Sequence, residues 1–143
     1  RMNDVSSIQS HDKDVFLNTG SPHLIRFVKE ISKHPVYEEG KSIRYSDTFK
    51  PGGTNVNFVE LLPVNTIFVR TYERGVANET LSCGTGVTAA ALATSQKGYT
   101  SPISSKTLGG ELSVEFKIGQ AGAFTDIYLI GPAKKVFEGT LEL

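Results

Sequence analysis

Apolar and polar positions alternate from the start of the chain. Met2 to Ile8 and Lys13 to Asn18 are short alternating stretches around the polar turn Ser10-His11-Asp12, and they read as a hairpin. Gly20-Ser21-Pro22 then predicts a helix, with Ser21 as its cap and Pro22 in its first position. Leu24, Phe27, Val28 and Ile31 fall on one face, and the helix is expected to end near Lys33-His34-Pro35. Val36 to Tyr45 is ambiguous and reads as a short helix broken at Gly40, and Lys50-Pro51-Gly52-Gly53 reads as a loop. Thr54 to Leu62 and Thr66 to Glu73 form a second hairpin across Pro63-Val64-Asn65. After the polar run Arg74 to Ser82, a helix is predicted from Thr85 to Lys97, closed by Gly98. Its residues Val87, Ala89, Ala90, Ala91, Leu92 and Ala93 are small and apolar on nearly every side, so this helix must be enclosed. Three strands follow, near Leu112 to Ile118, Thr125 to Ile130 and Lys135 to Leu143. The order of elements predicts an α+β fold, a mostly antiparallel β-sheet wrapped around a central small-residue helix.

Composition narrows the classes without adding an element. The length of 143 residues and an apolar fraction of 38% suit one compact domain. Fifteen basic residues balance fifteen acidic ones. The charge pattern therefore makes no case for nucleic acid or for an anionic membrane surface. No apolar run is long enough to span a bilayer. A single cysteine cannot form an internal disulfide, which favours a cytoplasmic setting. The chain opens at Arg1-Met2-Asn3 with alternation already under way, as expected of a cut within a longer protein.

The chemistry concentrates at Ser82-Cys83-Gly84-Thr85-Gly86. The first amides of a helix have no partner within it and carry partial positive charge. Glycines there let a ligand approach the backbone, so the turn combines a thiol with an anion site. A field of this kind favours a thiolate. A carboxylate held by the amides of Gly84 and Thr85 would bring its α-carbon to Cys83, an arrangement suited to proton transfer beside a carboxylate. The competing readings are an inert buried thiol and a dinucleotide site. The second rests on Gly84-Thr85-Gly86-Val87-Thr88-Ala89, which fits G-x-G-x-x-A. It lacks the strand that should directly precede it and the acidic strand end that should follow.

Tyr72-Glu73-Arg74-Gly75 followed by Glu79-Thr80-Leu81-Ser82-Cys83-Gly84-Thr85-Gly86 resembles the second signature of diaminopimelate epimerases. The resemblance runs over nearly the whole chain. Gly20-Ser21-Pro22-His23 is similar to the family's G-N-P-H turn, and Asn55-Val56-Asn57-Phe58 to its N-V-x-F strand. Gly109-Gly110-Glu111-Leu112 and Phe137-Glu138-Gly139-Thr140 also fit. The family interconverts LL- and meso-2,6-diaminoheptanedioate without pyridoxal phosphate or metal, using one cysteine from each of two similar domains. This chain has one cysteine and lacks the first-domain signature. The resemblance thus implies the C-terminal catalytic half-domain, residues 1–132, with 133–143 as a strand returning to a missing N-terminal domain. That domain and the small-molecule substrate are the implied partners, a homodimer is also compatible, and the half alone is expected to be inactive.

The resemblance also implies roles. Cys83 is one acid/base, and the amides of Gly84 and Thr85 hold the reacting carboxylate. Arg74 grips the distal carboxylate, with Ser21, Asn55 and Glu73 helping to place the substrate. His23 and Glu73 tune the pKa values of the two thiols. The structural alternatives are an exposed Glu73–Arg74 ion pair at a strand end, Asn55 as an ordinary turn residue and His23 as a residue of a helix's first turn. Two departures stand out. Ser21 replaces the family's Asn and has shorter reach, and the spacer Gly75-Val76-Ala77-Asn78 is one residue longer than the commonest form. A proline-racemase relative and a non-catalytic anion-binding module are the functional alternatives. Arg74 argues against the first, because a distal cation serves a dicarboxylate.

Overall fold

The computed structural model describes residues 1–143. Nine strands form one sheet: β1 (Gln9–His11), β2 (Asp14–Asn18), β3 (Pro22–Phe27), β4 (Asn55–Leu62), β5 (Thr66–Glu73), β6 (Asn78–Thr80), β7 (Ile103–Thr107), β8 (Gly110–Ile118) and β9 (Phe124–Ile130). Their order is β1-β2-β3-β4-β5-β7-β8-β9, with β6 also paired to β5. Most pairings are antiparallel. β3 with β4 and β5 with β7 are parallel. The two helices are α1 (Val36–Arg44) and α2 (Gly84–Thr94).

The sheet curls until its ends meet. Val5 and Phe124 exchange two backbone hydrogen bonds, of 2.9 and 2.8 Å, and Met2 N–H donates to Ile127 carbonyl at 2.8 Å. The stretch Met2 to Ile8 therefore joins β9 instead of forming a hairpin arm. The hairpin is tighter, with Gln9 opposite Phe16 and His11 opposite Asp14.

α2 fills the resulting half-barrel. Every residue from Gly86 to Thr94 is buried, as its all-round apolar composition requires. Alanine at successive positions lets strands approach from several sides, and Val87 and Leu92 contribute roughly 1.5–3 kcal/mol each on burial. The helix runs on into a short 3-10 turn, Ser95–Lys97, and stops at Gly98, whose φ of +89° glycine adopts readily.

The segment predicted as a helix from Ser21 is β3. Its odd and even positions go to opposite sides of the sheet. Ile25 packs with the α2 cluster, whereas Leu24 packs with Ile31, Val56, Phe58 and Tyr72 beneath α1. A strand buried on both faces carries no polar stripe, and its apolar residues mimic helical spacing. Ser21 consequently caps nothing. α1 is continuous through Gly40, and the glycine there serves packing: an added Cβ would lie 2.5 Å from Tyr72 Cβ. Within the polar run after Arg74 the chain forms β6, and the Ser-rich β7 was not foreseen. Residues 131–143 form no strand and are exposed throughout, so the predicted strand Lys135 to Leu143 is absent from this chain. No helix is long and apolar enough to cross a membrane.

An ion-pair network ties α1 to the sheet. Arg26 of β3 holds Asp14 through two hydrogen bonds, of 2.9 and 2.7 Å, and reaches Glu39 of α1 at 2.7 Å. Arg70 likewise holds Glu79 in two bonds, at 2.7 and 2.6 Å. Its remaining nitrogen donates to the Ile31 and His34 carbonyls. Glu79 of the cysteine signature is thus a structural anchor for β6.

Candidate active site

Cys83 is the N-cap residue of α2, in extended conformation, and no side chain caps the helix start. The amides of Gly84 and Thr85 are therefore open to a ligand beside the sulfur. The thiol is partly exposed, on a rim where Leu81 is 70% exposed. Gly84 leaves room for Leu129, since a Cβ there would lie 2.9 Å from Leu129 Cδ2. The strand that precedes the turn is the short antiparallel β6, not the parallel strand of a dinucleotide-binding unit.

Four strands deliver polar groups to this point. Thr85 Oγ1 lies 3.5 Å from Cys83 Sγ, 2.9 Å from His23 Nε2 and 3.3 Å from Ser21 Oγ. Thr19, just beyond β2, donates to the Thr85 carbonyl at 2.8 Å. On the far side of the imidazole, His23 Nδ1 lies 2.7 Å from Asn57 Oδ1, and Asn57 Nδ2 donates to Thr71 Oγ1 at 2.6 Å. His23 is completely buried. Burial holds its pKa down to about 4, Arg74 adds a smaller push downward, and the bond to Asn57 opposes both. The ring is accordingly neutral near pH 7.

Register explains how Glu73 and Arg74 arrive. Val56 stands opposite Tyr72, so Asn55 and Glu73 come one step further along. Tyr72 faces the α1 cluster, and alternation turns Glu73 to the α2 side with His23 and Asn55. Asn55 Nδ2 donates to the Pro22 carbonyl at 3.0 Å and to Ser21 Oγ at 3.4 Å, while its Oδ1 accepts the Arg74 amide at 2.8 Å. Asn55 is thus a clamp between two strands, not a turn residue. The Arg74 guanidinium touches only the Gly52 carbonyl, at 3.3 Å. Neither Glu73 nor Arg74 forms an ion pair, with each other or with any other side chain. A guanidinium without a counter-charge and an uncapped helix start are two separate places suited to carboxylates.

Cys83, Thr85, Gly84, Ser21, His23 and Asn55 come together directly, and Arg74 joins through Asn55. The Glu73 carboxylate shares their face without touching them. Asn57, Thr71 and Thr19 belong to the same constellation and were not identified from sequence. The only available signal was a polar residue, Asn57, on the inward alternation of a strand otherwise buried on both sides.

A family model described as diaminopimelate epimerase matches residues 15–136. The chain is similar to the diaminopimelate epimerase of Flavobacterium psychrophilum, with 46% identity over 143 residues that make up 99% of this chain and 56% of that protein. Against the diaminopimelate epimerase of Aquifex aeolicus the identity is 45% over 130 residues, 89% of this chain and 45% of that one. The chain spans about half the length of these relatives. Among solved structures, a phenazine biosynthesis protein of the PhzF family from Bacillus anthracis shares the fold, with a TM-score of 0.52 and 20% identity. That match covers 90% of this chain and 40% of the other.

Proposed function

The chain belongs to the diaminopimelate epimerase family, and on that premise we propose that it is the C-terminal half of a cofactor-independent epimerase. The parent enzyme interconverts LL- and meso-2,6-diaminoheptanedioate, supplying lysine and peptidoglycan precursors in the cytoplasm. Residues 1–132 form the catalytic half-domain, and 133–143 return to the N-terminal domain, the chain's partner. The observation that carries this reading is the placement of Cys83 at the uncapped start of α2, with the unpaired Arg74 guanidinium on the neighbouring strand end.

In this mechanism the amides of Gly84 and Thr85 hold the carboxylate next to the reacting carbon and stabilise charge that develops on it. One sulfur removes the α-proton, leaving the electron pair on the carbon and carboxylate. A second thiol on the opposite face returns a proton, and the configuration inverts. Cys83 supplies one of the two groups. Arg74 holds the distal carboxylate, a task suited to a planar fork of donors. Asn55 fixes the Arg74 backbone, and Ser21 and Glu73 line the approach to the substrate's other polar groups.

Inversion needs groups on both faces, and one cysteine serves only one. The chain alone should therefore not turn over. Epimerisation is to be measured for this chain, for a matching N-terminal half and for their mixture, with wild-type Cys83 and with Cys83→Ala. Turnover only in the wild-type mixture is expected. Full turnover by this chain alone, or by the Cys83→Ala mixture, would remove the two-cysteine reading.

A further inference from the structure

We propose that Asn57 is a positioning residue for Cys83: its amide holds His23 as the Nδ1–H tautomer, whose bare Nε2 draws the Thr85 hydroxyl proton toward the ring and away from sulfur. The proposal rests on the reading of Cys83 as an acid/base, and it adds which way the hydrogen bonds around that thiol run.

Asn57 is buried on β4, with Oδ1 2.7 Å from His23 Nδ1 and Nδ2 2.6 Å from Thr71 Oγ1. Its carboxamide is also confined from the helix side, because a Cβ at Gly86 would lie 2.4 Å from Nδ2. An amide oxygen can only accept, so Nδ1 must carry the proton. Nε2 of a neutral ring is then bare and must accept. Its two neighbours are hydroxyls, Thr85 Oγ1 at 2.9 Å and Ser21 Oγ at 3.0 Å. Thr85 is the nearer of the two, so it donates to the ring directly or through Ser21, 3.3 Å away; the remaining arrangement, with Ser21 on the ring and the Thr85 proton on sulfur, uses the longer contacts of 3.0 and 3.5 Å. With Thr85 donating to the ring or to Ser21, its proton points away from Cys83. Sulfur and hydroxyl are 3.5 Å apart, and the hydrogen left for that contact is the thiol's own. The chain Asn57–His23–Thr85 thus favours Cys83 with its proton on, as the donor of the pair.

The charged groups that face the ring and the thiol are few. The end of β5 contributes Glu73 and the turn after it Arg74, β4 contributes only the amides Asn55 and Asn57, and the first turn of α2 contributes no charge. Reversing the tautomer reverses the chain. An Nε2–H would donate to Thr85 Oγ1 and free the Thr85 hydroxyl to donate to a thiolate.

The test uses the 143-residue chain labelled with ¹⁵N-histidine, with His11 and His34 assigned through their Asn variants. At pH 7 the His23 Nδ1 resonance should be that of a protonated nitrogen and Nε2 that of a bare one. The opposite pattern overturns the proposal without need of any variant. In Asn57→Asp the added carboxylate should give His23 a proton on both nitrogens, and alkylation of Cys83 by iodoacetamide at pH 7 should rise about tenfold, as thiolate replaces thiol. A doubly protonated ring with an unchanged alkylation rate overturns the link to sulfur. In Asn57→Leu the Nδ1–H tautomer should lose its dominance, and an unchanged tautomer overturns the role of Asn57. None of these readouts involves substrate. A mixture that fails to epimerise while the ring behaves as stated removes the epimerase reading alone.

Discussion

Gly40 of α1 lies so close to Tyr72 of β5 that a Cβ on the glycine would stand 2.5 Å from Tyr72 Cβ and 2.9 Å from its Cγ. Two opposing effects meet here. Alanine in mid-helix is worth roughly 1 kcal/mol over glycine. Against that, the Tyr72 Cβ is fixed to the backbone of a central strand and cannot swing aside, so α1 must move off the sheet. Overpacking of this kind costs roughly 1–3 kcal/mol. Gly40→Ala should therefore be destabilising overall, by up to about 2 kcal/mol in urea unfolding. An unchanged or raised midpoint would show that α1 shifts freely.

The Arg26 network makes a sharper prediction. Asp14 is 5% exposed and has Arg26 as its only cation. Arg26→Met leaves a buried carboxylate without compensation and should cost about 3–5 kcal/mol. Replacing both partners, Asp14→Leu with Arg26→Met, should recover most of the loss. A double variant as unstable as the single one would mean that Arg26 acts by packing.

His23 couples stability to pH. Its folded pKa of about 4 lies below the unfolded value of 6.5, so between these values the unfolded chain binds the extra proton. Stability from this group is complete above pH 6.5 and is lost as pH falls through 4. The loss is of order 3 kcal/mol when complete. Denaturant unfolding at pH 7 and at pH 4.5 should show it, and His23→Gln should flatten that part of the profile. A wild-type profile without a decline over this range would mean that the ring is solvated.

Arg74 should separate the two carboxylates of the substrate. In the reconstituted pair, Arg74→Lys should raise KM for diaminopimelate about ten- to a hundredfold, because an ammonium cannot make the paired bonds. Inhibition by a competitor lacking the distal carboxylate should be unaffected. Equal losses for both ligands would place Arg74 elsewhere in the mechanism.

The exposed segment 133–143 should contribute nothing to the stability of the half-barrel. Its removal is expected to leave the thermal midpoint within a degree or so while weakening association with the N-terminal half. A large drop in midpoint would show that the segment is docked in solution.

How legible this was depended on local exposure. The β4–β5 hairpin and α2 were readable because their periodicity is strong and their ends carry turn residues. The position of Cys83 at a helix start was readable because glycines follow it and an apolar helical run begins there. The segment 22–27 was not, because a strand covered on one face by α2 and on the other by α1 loses the alternation that identifies strands. β7 was hidden by its serines, and Gly40 looked like a break because close packing against Tyr72 leaves no trace in one sequence. The Glu73–Arg74 ion pair, reasonable from adjacency, fails because β5 ends at Glu73 and the turn that follows carries the Arg74 guanidinium to the Gly52 carbonyl. Asn57 escaped for a related reason. Its importance lies in a partner on another strand, reached only once the parallel register of β3 and β4 is known.

The bridge between Val5 and Phe124 bears on how the molecule is made. Two residues well over a hundred positions apart must meet before the half-barrel is closed. Val5, both early hairpins and α2 all precede β9 in the chain and are made before it exists. Until then the alanine-rich helix has no complete wrapping, and its apolar surface is open to other chains. Closure is the most non-local event in this topology, and thus the slow one. The few residues ahead of β1 act as a latch whose catch, β9, is made long after them.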